Sequence, residues 1–283
     1  MQKQALAIHD LSCVGRCSLT VALPVLSACG VHTSALPTAL LSTHTGEFTG
    51  YTCLDLTAEM RRILAHFDTL PLRFDGVYSG FLGSAEQISL VGETIRRCKS
   101  AGALAVVDPV MADHGRLYAT YTPEMAAGMR ELCRLADVMV PNVTEACLLL
   151  DTPYVPEPDE KQTAALLTGL AERFSCEQVI ITGVKRGALL GAAGFNAAEG
   201  RVAFAGAPAL HQVFYGTGDV FASALTGALL RGRSTETATR LAVGFTNEAM
   251  RYTLQNGLPL RYGVAFEQAI PWLVTHLEEE EEP

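Results

Sequence analysis

The sequence predicts an α/β fold with a doubly wound, mostly parallel sheet, antiparallel edge strands and helices on both faces. Short apolar runs without polar alternation recur along the chain, and stretches of helical period separate them. The pattern then changes once, after residue 183, where a hairpin signature replaces the alternation. The runs are "ALAIH" at 5–9, "FDGVYSG" at 74–80, "ALAVVD" at 103–108, "ADVMVP" at 136–141 and "QVIITG" at 178–183, each read as a strand buried on both faces. Helical patterns span 55–66, 84–99, 122–135 and 160–174, with Ser84 and Gln87 at capping-box spacing marking one start. Strands that alternate with helices imply right-handed crossovers. "GALLGAAGFN" and "GRVAFAGAPAL", joined through "AAEG", predict the hairpin at the sheet edge, and three more helices open at about 217, 234 and 264.

Internal repeats and linkers rich in Pro, Gly or Ser are absent from the sequence, so residues 1–277 read as one domain and "EEEEEP" at 278–283 as a solvated acidic tail. The 283 residues, 49% of them hydrophobic, suffice for a sizeable core. With 21 Lys and Arg against 30 Asp and Glu, the net charge of -9 has the wrong sign for neutralising a phosphate backbone, which argues against nucleic acid as a partner. Asp10 interrupts the N-terminus before a signal-peptide core forms, and no apolar run approaches the ~20 residues that cross a bilayer, so a cytoplasmic protein is expected. The eight cysteines form no CxxC pair and read as reduced core thiols. "NVT" at 142–144 matches a glycosylation sequon, which carries no weight without a secretory signal.

Open α/β sheets bind ligands beyond the carboxyl ends of their strands, so the polar residues there carry the functional reading. They are His9, Asp10 and Ser12; Ser79 and Gly80; Asp108 with Asp113; Asn142; and Thr182 with Gly183. Carboxylates, an amide, hydroxyls and glycines suit a metal-bound phosphate ester better than acyl transfer, which calls for a Ser/His/Asp arrangement. In "FYGTGDVFAS", Gly216 and Gly218 let the backbone turn so that N–H groups leave a helix N-terminus toward an anion. Asp219 then stands where it could take a proton from an attacking hydroxyl, or merely complement the helix dipole. Asn142 and Glu145 have N-cap and N3 spacing and read equally as a capping box. Asp108 ends a buried apolar run and needs a partner or a metal. Ser12, Thr45 and His44, taken by residue type alone, are turn, cap or structural groups.

"GTGDVFAS", "DPVMAD", "PNVTEA", "SGFLGSAEQ" and "STHTG" stand in an order and spacing similar to those of pyridoxal kinases of the ribokinase-like superfamily, over nearly the whole chain. The resemblance implies ATP-dependent phosphorylation of the 5'-hydroxymethyl group of pyridoxal, pyridoxine or pyridoxamine. Hydroxymethylpyrimidine kinase is the alternative within the fold, and a non-catalytic nucleotide-binding module the alternative outside enzymes. By the same resemblance Asp219 is the catalytic base, and Gly216, Thr217 and Gly218 form the anion hole. Asp108, Asp113 and Glu145 face Mg2+ and the ATP phosphates, directly or through water. Asn142 and Thr182 lie on the nucleotide side, and Ser12, Thr45, Gly46 and Phe81 in the ring pocket. A homodimer is implied too, with room for a monovalent cation beside Mg2+. Two residues depart from the family pattern: Phe81 where Tyr is usual, and Thr43 where Asn precedes His44. Both touch the ring pocket rather than the chemistry.

Overall fold

The computed structural model describes residues 2–279. The first half of the chain runs β1 (Gln4–Ser12), α1 (Leu19–Ala28), β2 (His32–Leu41), β3 (Cys53–Asp55), α2 (Thr57–Phe67), β4 (Gly76–Ser79), α3 (Ala85–Ser100) and β5 (Leu104–Val107). A separate two-stranded flap, β6 (Ala112–Asp113) and β7 (Arg116–Leu117), precedes α4 (Pro123–Cys133), β8 (Val138–Met139), α5 (Val143–Leu150) and α6 (Glu160–Phe174). Then come β9 (Gln178–Arg186), β10 (Leu189–Asn196), β11 (Arg201–Pro208), α7 (Thr217–Leu230), α8 (Thr235–Gln255) and α9 (Ile270–Glu278).

The main sheet has the order β11-β10-β9-β8-β5-β4-β1-β2-β3. From β2 to β9 all neighbours are parallel, while β3, β10 and β11 are antiparallel, so the expected hairpin forms one edge. In β1, Leu6 and Ile8 face one core, with residues of α2 to α6, and Ala5 and Ala7 face another, with α1, α7 and α8. That division follows size: the small side chains let α1 and α7 approach the sheet closely, and the large ones fill the space under the other layer. After β1 the chain goes to β2 on one side, and everything from β4 to β9 lies on the other, so the order reverses beside β1. The crevice at that switch point is where such sheets bind ligands.

Some expectations shift. β2 escaped the apolar-run criterion because Ser34, Thr33 and Pro37 interrupt it, and its register against β1 slips just past the His9–Pro37 pair, where Pro has no N–H to give. β8 keeps only two residues of the run at 136–141. The last helix opens at Ile270 rather than 264, since Phe266–Gln268 first forms a 3-10 turn and Pro271 sits in the first helical turn. Ser84 caps α3 by accepting from the Gln87 N–H at 3.2 Å, but Gln87 Oε1 accepts from the Gly83 N–H at 2.8 Å instead of from Ser84, and its Nε2 donates to Thr38, Asp55 and Thr57, so no capping box closes. Glu278 belongs to α9 and pairs with Arg231 at 2.9 Å, whereas residues 280–283 of the expected tail lie outside the described residues. Five cysteines are buried, but Cys13 and Cys53 are exposed and Cys17 is half-buried, so the core reading holds for only part of them. Among the described residues no helix is long and apolar enough to cross a membrane.

Candidate active site

The start of α7 is shaped by a single glycine. Gly216 has φ 73° and ψ 4°, and a Cβ there would stand 2.0 Å from the Arg16 carbonyl oxygen. Any side chain is therefore excluded twice, by conformation and by space. Gly218 differs from the sequence expectation: it is an ordinary helical residue, with nothing within 4 Å of an added Cβ. Its contribution is open room above the first-turn N–H groups, which Gly216 has no side chain to cap.

Asp219 lies in that first turn, half-buried. Desolvation pushes its carboxyl up to about 7, against a stabilising hydrogen bond from the Ser18 backbone, and the charge of Asp10 adds to the rise. Asp10 is buried in β1 and accepts hydrogen bonds from the Ser18 hydroxyl at 2.6 Å and the Ser12 hydroxyl at 3.3 Å. Ser12 is thus tied to an acid that the sequence reading named beside it but gave no role. The available signal was a carboxylate inside an otherwise apolar strand.

Asp108 follows β5, buried, and its N–H donates to the Ser79 carbonyl at 3.0 Å. Burial first, then the charges of Glu145 and Asp219, hold its carboxyl well above the usual range. Buried acids that raise one another are a place for a cation. Glu145 is also buried, and its carboxylate is already engaged. Its Oε2 accepts from the Asn142 N–H at 2.9 Å, and its Oε1 from the N–H groups of Met111 at 2.8 Å and Ala112 at 3.3 Å. Asn142 returns the capping bond at 2.9 Å and donates through Nδ2 to the Ala112 carbonyl at 2.8 Å. The capping-box alternative is therefore realised, and it pins the β6–β7 flap to α5. Burial still pushes the Glu145 carboxyl up to about 7 despite the three N–H donors.

Asp113 is exposed on the flap, bonded to the His114 N–H at 2.7 Å, and reaches Glu145 only through its charge. Among the described residues no three His, Cys, Asp or Glu side chains gather closely enough to hold a metal by themselves. Thr182 lies half-buried on β9, bridged to Asn142, with its N–H donating to the Pro141 carbonyl at 2.9 Å. Gly183 follows with φ 76° where the register against β10 slips.

In the loop after β2 Thr45 is exposed and Gly46 half-buried, with the Tyr215 ring so close that a Cβ on Gly46 would stand 2.6 Å from it. Phe81 is half-buried, and its carbonyl accepts from the Thr38 hydroxyl at 3.5 Å. The Thr43 hydroxyl, one of the two departures, is buried without a hydrogen-bond partner among the described residues. Tyr215, Arg16 and Ser18 were not singled out from the sequence. The close approaches that make them matter are between loops far apart in the chain.

A family model described as phosphomethylpyrimidine kinase matches residues 21–261. The pyridoxine/pyridoxal/pyridoxamine kinase of Bordetella bronchiseptica is 31% identical over 274 residues, 86% of this chain and 87% of that one. Among solved structures, a Bacteroides thetaiotaomicron protein in an orthorhombic form with pyridoxal has 37% identity and a TM-score of 0.91, covering 96% of both chains. Pyridoxal kinase from Lactobacillus plantarum has 33% identity and a TM-score of 0.89, covering 100% of each chain.

Proposed function

The chain belongs to the phosphomethylpyrimidine kinase family of ribokinase-like enzymes, and from that premise we propose that it phosphorylates the 5'-hydroxymethyl group of pyridoxal, pyridoxine or pyridoxamine with ATP as donor. The observation that carries the chemistry is the start of α7, where an acid poised near 7 stands beside open helix N–H groups. The B6 vitamer as acceptor is supported by near full-length likeness to kinases of these vitamers and to a protein solved with pyridoxal.

In this reading the substrate hydroxyl attacks the γ-phosphorus in line. Its proton passes to an Asp219 carboxylate oxygen, a new O–P bond forms, and the bond to the ADP leaving oxygen breaks. The N–H groups of Gly216, Thr217 and Gly218 hold the charge that develops on the phosphoryl oxygens. Asp108 would hold Mg2+, which would offset the negative charge of the phosphate groups. One or two carboxylates plus substrate phosphates suffice for this ion, consistent with the small acid set here. Three of the roughly four acceptor positions of the Glu145 carboxylate are taken by backbone N–H groups, so it would act through water, as would Asp113 from the flap. Asn142 and Thr182 line the nucleotide side, and Ser12, Thr45, Gly46 and Phe81 the ring side. We further propose a single catalytic domain over 1–277, a cytoplasmic setting that suits eight free cysteines, and a homodimer, with a monovalent cation as a possible accessory to Mg2+.

The test is a rate comparison with purified protein, ATP and Mg2+ on the three vitamers and on hydroxymethylpyrimidine. Faster turnover of a vitamer supports the proposal, and preference for the pyrimidine replaces it with the other activity of the family.

A further inference from the structure

His44 sits where four loops meet, and each meeting is a distinct contact. Its own loop, 42–50, folds back so that the Gly46 N–H donates to Nδ1 at 3.1 Å. Nδ1 is therefore an acceptor and the hydrogen is on Nε2, which donates to the Arg261 carbonyl at 2.6 Å. The ring covers Gly15 in the β1–α1 loop so closely that a Cβ on that glycine would stand 2.5 Å from it. It also lies 5.5 Å, centroid to centroid, from the Tyr215 ring, one residue before Gly216. The imidazole is buried, and both nitrogens are used within the protein.

The contacts continue beyond it. Arg261 places its guanidinium 4.2 Å from the centre of the Phe48 ring, and so seats the same loop a second time. The neighbouring Tyr262 carbonyl accepts from the Arg16 N–H at 2.9 Å. The Arg16 carbonyl in turn lies against both Gly263 and Gly216, where added Cβ atoms would stand 2.7 Å and 2.0 Å from it. An unbroken path thus leads from loop 42–50 through Arg261, Tyr262 and Arg16 to Gly216, the residue that caps the anion-binding helix.

We propose that His44 is a positioning residue that locks the ring-pocket loop to the start of α7, so that seating of the ring substrate and alignment of the Gly216–Asp219 turn are one event. This rests on the proposed site and deepens it: substrate-ring contacts on Thr45 and Gly46 and phosphoryl contacts on α7 are coupled through an imidazole that touches neither substrate. Without the lock, each loop keeps its own fold but loses its register with the others.

The experiment is hydrogen–deuterium exchange of the ligand-free protein, with kinetics alongside, for His44→Phe and His44→Gln. Phe keeps the ring packing and loses both hydrogen bonds, and Gln can still donate to Arg261. In His44→Phe we expect faster exchange in 42–50 and equally in 213–218 and 260–264. We also expect the KM for the ring substrate to rise about tenfold with a lowered kcat, the KM for ATP to stay within about twofold, and Gln to recover part of each change. Faster exchange confined to 42–50, with 213–218 as in the wild type, overturns the proposal, as does an unchanged ring-substrate KM. Exchange is read without any substrate, so a wild type that phosphorylates no B6 vitamer would end the assignment of substrate and still leave the coupling decided. If His44→Phe fails to fold, the same comparison on His44→Gln decides it.

Discussion

Asp219 carries two testable consequences of one environment. Its carboxyl is held above the ordinary 3.8 at about 7, so the folded protein binds a proton there that the unfolded chain has released between those values. The stability contributed by this group is therefore full below about pH 4 and is lost as the pH rises to about 7. Asp219→Asn removes the ionisation, and we expect a higher Tm than wild type at pH 8 with little difference at pH 4, measured by thermal melts. The same change removes the base and should lower kcat by roughly 10²- to 10⁴-fold with little effect on nucleotide KM. A variant with near wild-type kcat would return Asp219 to the role of complementing the helix dipole. The two glycines separate in a similar way. Gly216→Ala places a Cβ against the Arg16 carbonyl in a left-handed conformation and should lower Tm by on the order of 5 °C or more. A Cβ on Gly218 has no protein atom within 4 Å, so Gly218→Val should fold normally and raise the KM for ATP by filling the room above the helix N–H groups.

Among elements, α5 shows how a functional signature and a structural one coincide. The Asn142–Glu145 pair closes a full capping box and also holds the flap through Met111 and Ala112. Glu145→Gln brings an amide NH2 toward backbone donors, so it should destabilise by more than the roughly 0.5–2 kcal/mol of an ordinary cap. The Mg2+ concentration for half-maximal rate should change little. Asp108→Asn should do the reverse, raising that concentration severalfold with a smaller loss of Tm, and Mg2+ titrations of rate on both variants check the contrast. This is also where sequence reading reaches its limit. The parallel core strands were legible because double burial removes polar alternation, and the β10–β11 hairpin because turn residues separate two apolar runs. β2 was not, since a strand near the sheet edge with Pro37 and four polar residues keeps neither pattern. Asp219 and Asp108 drew notice by position, one at a helix start and one at the end of a buried strand, while the roles proposed for them came from the resemblance. Asp10 was named at the sheet edge but given no role, because its partners Ser18 and Asp219 are brought to it only by the loop after β1 and by α7, and spacing along the chain does not encode that approach.

On the scale of the whole molecule, the nine-stranded sheet places two cores of different grain on its faces, and the crevice opens where the strand order reverses beside β1. The wedge of Arg16 between Gly216 and Gly263 fixes more than a shape. Arg16 and Glu267, which form an ion pair there, are 251 positions apart, and His44 and Arg261 are 217 apart. Contacts of such separation come late, because closing the intervening chain costs entropy that nearer pairings do not. The sheet can be largely built while the crevice is still open on one side. Refolding followed by far-ultraviolet circular dichroism should therefore recover its signal before activity returns, and simultaneous recovery would count against that order. A growing chain would likewise hold a formed scaffold without a competent site until segment 260–267 had been made, so that the timing of activity is set by the end of synthesis rather than by the formation of the strands that carry the chemistry.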